Sequence, residues 1–164
     1  MDTYTVKDRR WVIKSPATPG PDQKLIAPGT YEVTIDRQRT TVSNVALEPY
    51  GPIPLAAIDR LVEHSHNQPN GCILWDGALT YNGYGVIHLG TRNGRQNLIR
   101  VHRLAWLLAG GILPTNLRLN HTCHSQSDCN DSVCDHRRCI SVSHLELSSA
   151  KFNNSRENSR RWAA

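Results

Sequence analysis

Hydrophobic and polar positions alternate over short stretches of the chain, a pattern that predicts strands more often than helices. Residues 31–35 alternate in strand fashion, and residues 40–43 are a candidate partner strand. Between positions 53 and 66, apolar residues recur at helical spacing, and Pro54 suits the first turn of a helix. Prolines and glycines interrupt residues 15–30, which we therefore expect to form a loop.

The pattern becomes sharper from Cys72 onward. Four short apolar stretches are candidate strands, at residues 72–75, 84–89, 97–101 and 117–119. Asn93-Gly94 follows the second of them and is typical of a tight β-hairpin. Helices are predicted at residues 102–109, ended by two glycines, and from about Ser149 to Trp162, begun by the serine. The sequence therefore predicts an α+β protein, with a small N-terminal segment at residues 1–70 and a larger domain at residues 71–164.

Length and charge narrow the class of protein. A chain of 164 residues and 18.4 kDa is expected to form one domain, or one domain with an appendage. No stretch approaches the roughly 18 apolar residues of a membrane helix, and the N-terminus lacks the apolar segment of a secretory signal. We therefore expect a cytoplasmic protein with no membrane partner.

Positive charge is concentrated in the second half of the chain. Residues 1–76 contain 8 basic and 9 acidic groups, whereas residues 77–164 contain 11 basic and 5 acidic groups. This imbalance is consistent with a polyanionic partner, most often nucleic acid, and equally with a solvated basic surface.

Cysteine and histidine residues crowd together between positions 121 and 144. Four of the five cysteines and four of the eight histidines lie in this stretch, among polar residues that offer little apolar core. An odd number of cysteines without an export signal favours metal ligands over disulfides. Zinc, which takes four Cys or His ligands in a tetrahedron, is the expected metal; buried thiols without a metal are the alternative.

Five short motifs follow one another after the N-terminal segment: Cys72-Ile-Leu-Trp-Asp-Gly-Ala78, Gly83-Tyr-Gly85, His102-Arg-Leu-Ala-Trp106, Asn120-His-Thr-Cys123 and Cys139-Ile-Ser-Val-Ser-His-Leu145. Each is weak alone, but their order and spacing over residues 72–158 are specific. In this order they resemble the HNH and His-Cys box endonucleases, above all the phage and bacterial branch that contains zinc and is similar to homing endonucleases. The resemblance implies a ββα-metal (His-Me finger) core with antiparallel β-hairpins, structural zinc and double-stranded DNA as substrate.

The resemblance also implies which residues bind zinc. The family's structural zinc ligands correspond to Cys72, Cys123, Cys139 and His144. Cys72 lies 51 residues before the next ligand, so a buried strand residue is the alternative there. The loop of this chain is longer than the short family form and adds a candidate second zinc set, Cys129, Cys134, His136 and His124. Spare thiols without a metal are the alternative for that set.

His121 matches the general base of the family. Imidazole titrates near neutral pH and can make a water molecule nucleophilic. The alternative is that His121 itself binds zinc, but a strand would place it on one face with Cys123 and hold it rigidly beside the metal. Asn153 lies nine residues after His144 and so matches the family's magnesium ligand, and a carboxamide oxygen suits Mg²⁺; the alternatives are the adjacent Asn154 and a surface role.

Basic residues supply candidate contacts to DNA. Arg103 would hold the scissile phosphate, with a structural ion pair as the alternative. Arg92, Arg95 and Arg100 lie on or next to the predicted hairpin, and two strands fit the major groove; solvated strand ends are the alternative. Backbone contacts from the last helix are expected of Lys151, Arg156, Arg160 and Arg161.

Together these features predict a magnesium-dependent DNA endonuclease with structural zinc, which leaves 5′-phosphate and 3′-hydroxyl ends. The resemblance implies a homing endonuclease that acts on nucleoid or host-cell DNA, and relatives that cut both strands are often homodimers. Two residues depart from the family: Asn120 stands where Asp is usual, and Ser141 where Asn is usual. They leave open a weakened enzyme, and the alternative function is a non-catalytic, zinc-stabilised DNA-binding module.

Overall fold

The computed structural model describes residues 2–6, 9–13, 26–51, 53–126, 129 and 134–152; of residues 2–6 and 9–13 only the backbone is described. Within these ranges the chain is a mixed α+β protein in which strands predominate. The strands are β1 (Asp2–Val6), β2 (Arg9–Ile13), β3 (Ile26–Ile35), β4 (Gln38–Ala46), β5 (Ser65–Asn67), β6 (Ile73–Trp75), β7 (Val86–Arg92), β8 (Arg95–Arg100), β9 (Arg118–His121) and β10 (Leu145–Ser148). The helices are α1 (Leu55–Glu63), α2 (Val101–Leu108) and α3 (Thr122–Gln126), and two 3-10 turns lie at Asp135–Arg138 and Val142–His144.

Two hairpins turn through residues with positive φ. Asn93 and Gly94, at φ 50° and 72°, join β7 to β8, as their sequence predicts. Asp36 and Arg37, at φ 51° and 68°, join β3 to β4 in the same way. The predicted pairing of residues 31–35 with residues 40–43 is confirmed.

The loop predicted for residues 15–30 is wrong at its C-terminal end, because β3 already begins at Ile26. The strand tolerates Pro28 and Gly29 because the register shifts between Ala27 and Thr30, which forms a bulge. Gly29 has φ 101°, a conformation that favours glycine. Residues 14–25 lie outside the described ranges.

A four-stranded sheet in the order β4-β3-β10-β9 joins the start of the chain to its C-terminal part. β9 and β10 pair antiparallel, with His121 opposite Leu145. β10 pairs with β3 in parallel through Leu147 and Ile35. The sheet therefore fixes the strand end that carries His121.

The main core lies between the two longer helices and strands β6 to β8. It combines residues from both sides of the predicted boundary at residue 70, including Ile58, Leu61, Trp75, Ile99 and Leu104. β5 and β6 pair across that boundary, with Ser65 opposite Trp75. Residues from 53 onward thus share one core with the segment that carries the motifs.

Helices α1 and α2 begin and end within three residues of their predicted bounds, whereas α3 was not predicted. The predicted strand relation between His121 and Cys123 is wrong, because β9 ends at His121 and Cys123 lies in the short helix α3. The predicted C-terminal helix is described only at its start, where residues 150–152 are helical and Ser149 Oγ accepts a hydrogen bond from Phe152 N at 3.2 Å. No helix among the described residues is long and apolar enough to cross a membrane.

Candidate metal centres and active site

Four predicted zinc ligands from distant parts of the chain meet at one point. Cys72 precedes β6, Cys123 lies in α3, and Cys139 and His144 follow in the segment before β10. Their ligand atoms all lie within 4.8 Å of one another, and we call this set the first cluster. The Nδ1 atom of His144 lies 3.5 Å from Cys72 Sγ and 3.6 Å from Cys139 Sγ. A tetrahedral zinc ion with bonds of about 2.3 Å to sulfur and about 2.0–2.1 Å to nitrogen requires a separation of about 3.5–3.6 Å.

The thiols of the first cluster influence one another strongly. The hydrogen bond from Cys123 lowers the pKa of Cys139 to about 4, against the opposing effect of burial. Burial and the negative charge of Cys139 raise the pKa of Cys72 to about 11. The pKa of Cys123 is raised as well, mainly because its thiol donates to Cys139. Only one thiol therefore ionises readily in the absence of a cation, and a bound Zn²⁺ would allow all three to do so.

Backbone pairing holds the first cluster in place. Leu74 and Cys139 form a β-bridge, and Ile140 N donates to Ile73 O at 2.8 Å. Arg138 donates to the carbonyl oxygen of Trp75 at 3.2 Å and pairs with Asp135 at 2.9 Å. The segment that carries Cys139 and His144 is thus attached to β6, the strand that directly follows Cys72.

The residues of the candidate second zinc set also come together, and we call them the second cluster. His124, Cys129, Cys134 and His136 present ligand atoms within 4.8 Å of one another. Cys129 Sγ lies 3.4 Å from His136 Nδ1, and Cys134 Sγ lies 3.0 Å from His124 Nδ1. All four are only partly buried. The chain therefore contains two Cys/His clusters that could each hold a metal such as zinc.

His121 is a buried histidine with a defined tautomer. It is 3% exposed at the end of β9, and its Nε2 lies 2.9 Å from the carbonyl oxygen of Cys139. Because a carbonyl oxygen can only accept a hydrogen bond, Nε2 carries the proton and Nδ1 keeps its lone pair. Burial lowers the pKa of His121, and the bond to Cys139 opposes this in part. The imidazole is thus neutral near pH 7 and has an acceptor nitrogen.

Two aromatic rings border His121. The ring centroid of His102 lies 4.5 Å from that of His121, and the centroid of Tyr84 lies 6.0 Å from it. His102 is 1% exposed, and its Nδ1 has no hydrogen-bond partner among the described residues. Burial lowers the pKa of His102 well below its usual value, and the nearby guanidinium groups of Arg103 and Arg100 add to this effect.

The Gly83-Tyr-Gly85 motif places Tyr84 beside these histidines. A Cβ atom at Gly85 would lie 2.6 Å from Trp75 Cδ1 and 2.5 Å from Val101 Cγ2, so only glycine fits there. This close approach packs the segment against the main core. No role for Tyr84 was predicted from the sequence, although the glycines on either side of it could have indicated a closely packed position.

The predicted phosphate ligand Arg103 has a partner inside the protein. Its guanidinium donates to the Glu48 carboxylate and, at 3.0 Å, to Tyr50 Oη. Both side chains of the ion pair are mostly buried. The ion pair that the sequence left open as an alternative is therefore present.

The other predicted DNA contacts lie in different surroundings. Arg92 donates to Pro49 O at 2.7 Å, whereas Arg95 and Lys151 are exposed. Arg100 is exposed, and its Cζ lies 4.5 Å from the centroid of the Tyr84 ring. The predicted residues Asn153, Asn154, Arg156, Arg160 and Arg161 lie outside the described residues.

The two departures from the family pattern lie close to this site. Ser141 is buried and its Oγ lies 3.0 Å from Ser143 Oγ. Asn120 lies on β9 opposite Glu146. The Cys139 main-chain carbonyl, rather than a side-chain amide, orients His121.

Comparison of the chain with protein-family models, with curated proteins and with solved structures gave no match. The interpretation of the site therefore depends on the residues and distances described above.

Proposed function

We propose that this protein is a magnesium-dependent DNA endonuclease of the HNH or His-Cys box type. The ββα-metal core would consist of β9, β10 and the helix that begins at residue 150, with Cys123, Cys139 and His144 of the first cluster in the connection between the two strands. The substrate would be double-stranded DNA, and the products would carry 5′-phosphate and 3′-hydroxyl ends. A homing endonuclease is the setting that the sequence resemblance favours.

The observation that carries this proposal is the hydrogen bond between His121 Nε2 and Cys139 O. It leaves Nδ1 as the basic atom of a neutral imidazole, which is what general-base catalysis requires. In the proposed reaction Nδ1 takes a proton from a water molecule as its oxygen attacks phosphorus. The bond between phosphorus and the 3′-oxygen then breaks, and that oxygen leaves as the 3′-hydroxyl after gaining a proton.

The first cluster would support catalysis indirectly. Cys139 is at once a candidate zinc ligand and the residue whose carbonyl orients His121. A zinc ion there would fix the Cys139 backbone, and so the direction of the imidazole. The metal would thus have a structural role, and the base would be free of it.

Asn153 remains the proposed magnesium ligand, although it lies outside the described residues. Magnesium bound there would stabilise the charge that develops on the leaving oxygen. Ser149, four residues earlier in the sequence, precedes the helical residues 150–152 and donates through its N and Oγ to the Asp36 carboxylate at 2.9 and 2.8 Å.

A non-catalytic, zinc-stabilised DNA-binding module is the second candidate. The ion pair between Arg103 and Glu48 favours it, because a guanidinium engaged by a carboxylate is less available to a phosphate. The same clusters and exposed basic residues would serve such a module.

A plasmid-cleavage assay with Mg²⁺ tests the proposed function. Zinc-loaded wild type should nick or cut DNA, and His121→Ala should reduce the rate by about 10²–10⁴-fold, as expected for loss of a general base. The ends are then checked by ligation without prior phosphorylation, which requires a 5′-phosphate and a 3′-hydroxyl.

Two further variants control for folding. His121→Asn keeps a side-chain donor for the Cys139 carbonyl but offers no base, so it should retain zinc and lose cleavage. His64→Ala changes an exposed histidine at the end of α1 and should cleave like wild type. DNA binding by wild type without any cleavage would favour the non-catalytic module.

A further inference from the structure

Arg137 reaches from the segment between the two clusters toward the candidate active site. It lies one residue after His136, a ligand of the second cluster, and two residues before Cys139, a ligand of the first. Its Nη1 donates to Asn82 O at 2.8 Å, and its Cζ lies 5.5 Å from the centroid of the Tyr84 ring. No role for Arg137 follows from the motifs.

A second guanidinium lies on the same ring. Arg100, at the end of β8, has its Cζ 4.5 Å from the Tyr84 centroid. Among the residues that the structure describes, no carboxylate lies within ion-pair distance of Arg100. Both guanidinium groups therefore lie over the Tyr84 ring, and an anion bound at the edge of that ring would meet positive charge.

This arrangement borders the candidate base. The Tyr84 ring lies 6.0 Å from His121 and 5.8 Å from His102, measured between centroids. His102 is buried, and its Nδ1 lacks a hydrogen-bond partner among the described residues.

We propose that Arg137 and Arg100, whose guanidinium groups lie over the Tyr84 ring, bind a backbone phosphate of nucleic acid beside His121. This site rests on the proposed function and adds a positioning residue, Arg137, that the sequence did not indicate. Guanidinium suits the task because it can stack on an aromatic ring and still donate two parallel hydrogen bonds to phosphate oxygens. The ligand chemistry is a phosphodiester, and its recognition is independent of base sequence.

The test measures binding of a 30-base-pair duplex as a function of salt, without added magnesium so that the DNA stays intact. Arg137→Gln should weaken binding by roughly tenfold or more, as expected for a lost charge-assisted hydrogen bond. The slope of log affinity against log salt should fall in magnitude by about 0.9, the value for one phosphate contact. Zinc content and circular dichroism establish that the variant is folded.

Two variants separate a phosphate contact from a structural role. Arg137→Lys keeps the charge, so it should restore the salt slope while recovering only part of the affinity. Arg39→Gln removes the same charge from an exposed position on β4, where Arg39 pairs with Glu32, and should bind like wild type.

The outcomes distinguish this inference from the proposed function. A folded Arg137→Gln variant with wild-type affinity and salt slope would overturn the inference, whether or not the wild type cuts DNA. If the wild type binds DNA without cutting it, and Arg137→Gln lowers affinity and slope as expected, the inference stands and the nuclease proposal fails. Failure of the wild type to bind any DNA would overturn both.

Discussion

The two Cys/His clusters adjoin in sequence, through Cys123 and His124, yet their settings differ. In the first cluster Cys72 and Cys139 are 1% and 0% exposed, and their segments pair through backbone hydrogen bonds. In the second cluster all four residues are partly exposed, and three of them lie in the stretch between α3 and the first 3-10 turn or within that turn. A metal in the first would join distant parts of the fold, whereas a metal in the second would order one local segment.

The largest expected effect is on stability. Cys139→Ser should unfold the described domain or lower its melting temperature severely, because structural zinc contributes about 10–16 kcal/mol in small zinc domains, which matches a whole domain's stability of about 5–15 kcal/mol. Cys134→Ser should keep the fold. Thermal melts followed by circular dichroism compare the two, and equal stability would remove the proposed difference between the clusters.

Metal content gives the second test. We expect two zinc ions per chain, and a chelator that is added stepwise should release one well before the other. In Cys134→Ser the early-release ion should be absent, while the late one remains. A single ion per chain, measured by elemental analysis, would contradict a metal role for one of the clusters.

The third prediction connects the second cluster to DNA. Cys134→Ser should weaken DNA binding about as much as Arg137→Gln, because the segment that positions Arg137 loses its anchor. The double variant should then be little worse than either single variant, since both remove the same contact. Fully additive losses would show that the second cluster and Arg137 act independently.

The smallest expected effect concerns the residue that joins the segment to β6. Arg138→Gln removes a hydrogen bond to Trp75 O and ion pairs with Asp76 and Asp135, whose side chains are 46% and 72% exposed. We expect a loss of about 1 kcal/mol, since exposed ion pairs contribute little. Urea unfolding measures the free energy of unfolding of the variant. A decrease as large as that caused by Cys139→Ser would show that Arg138, rather than the metal, holds the segment in place.

Local chemistry made part of this structure predictable. Asn93-Gly94 defines its hairpin because both residues tolerate positive φ. The resemblance to zinc-containing endonucleases indicated the first ligand set, and the close spacing of Cys and His residues indicated the second. The α+β class follows from the same short periodic stretches.

Apart from the first cluster, long-range contacts were not accessible from the sequence. Nothing in residues 31–35 indicates that Ile35 pairs in parallel with Leu147. Likewise, no local pattern indicates that Glu48 forms an ion pair with Arg103. The helix at Thr122–Gln126 was missed because strand periodicity was extended through His121 to Cys123, whereas the chain turns there to bring the thiol toward Cys72. The contact of Arg137 with Tyr84 depends on the same folding of the segment.

The Asp36 carboxylate has a consequence for experiments with shortened chains. The carboxylate accepts two hydrogen bonds from Ser149, which directly precedes the helical residues 150–152. The backbone N–H of Asp36 donates a third to Leu147 O at 3.2 Å. A fragment that starts at residue 71 would leave the Ser149 donors without this acceptor and expose the β10 edge that β3 covers. The β3–β4 hairpin thus fixes the position of residues 149–152, where the final helix begins. A protein that lacks residues 1–70 would lose this attachment even if it kept every candidate catalytic side chain.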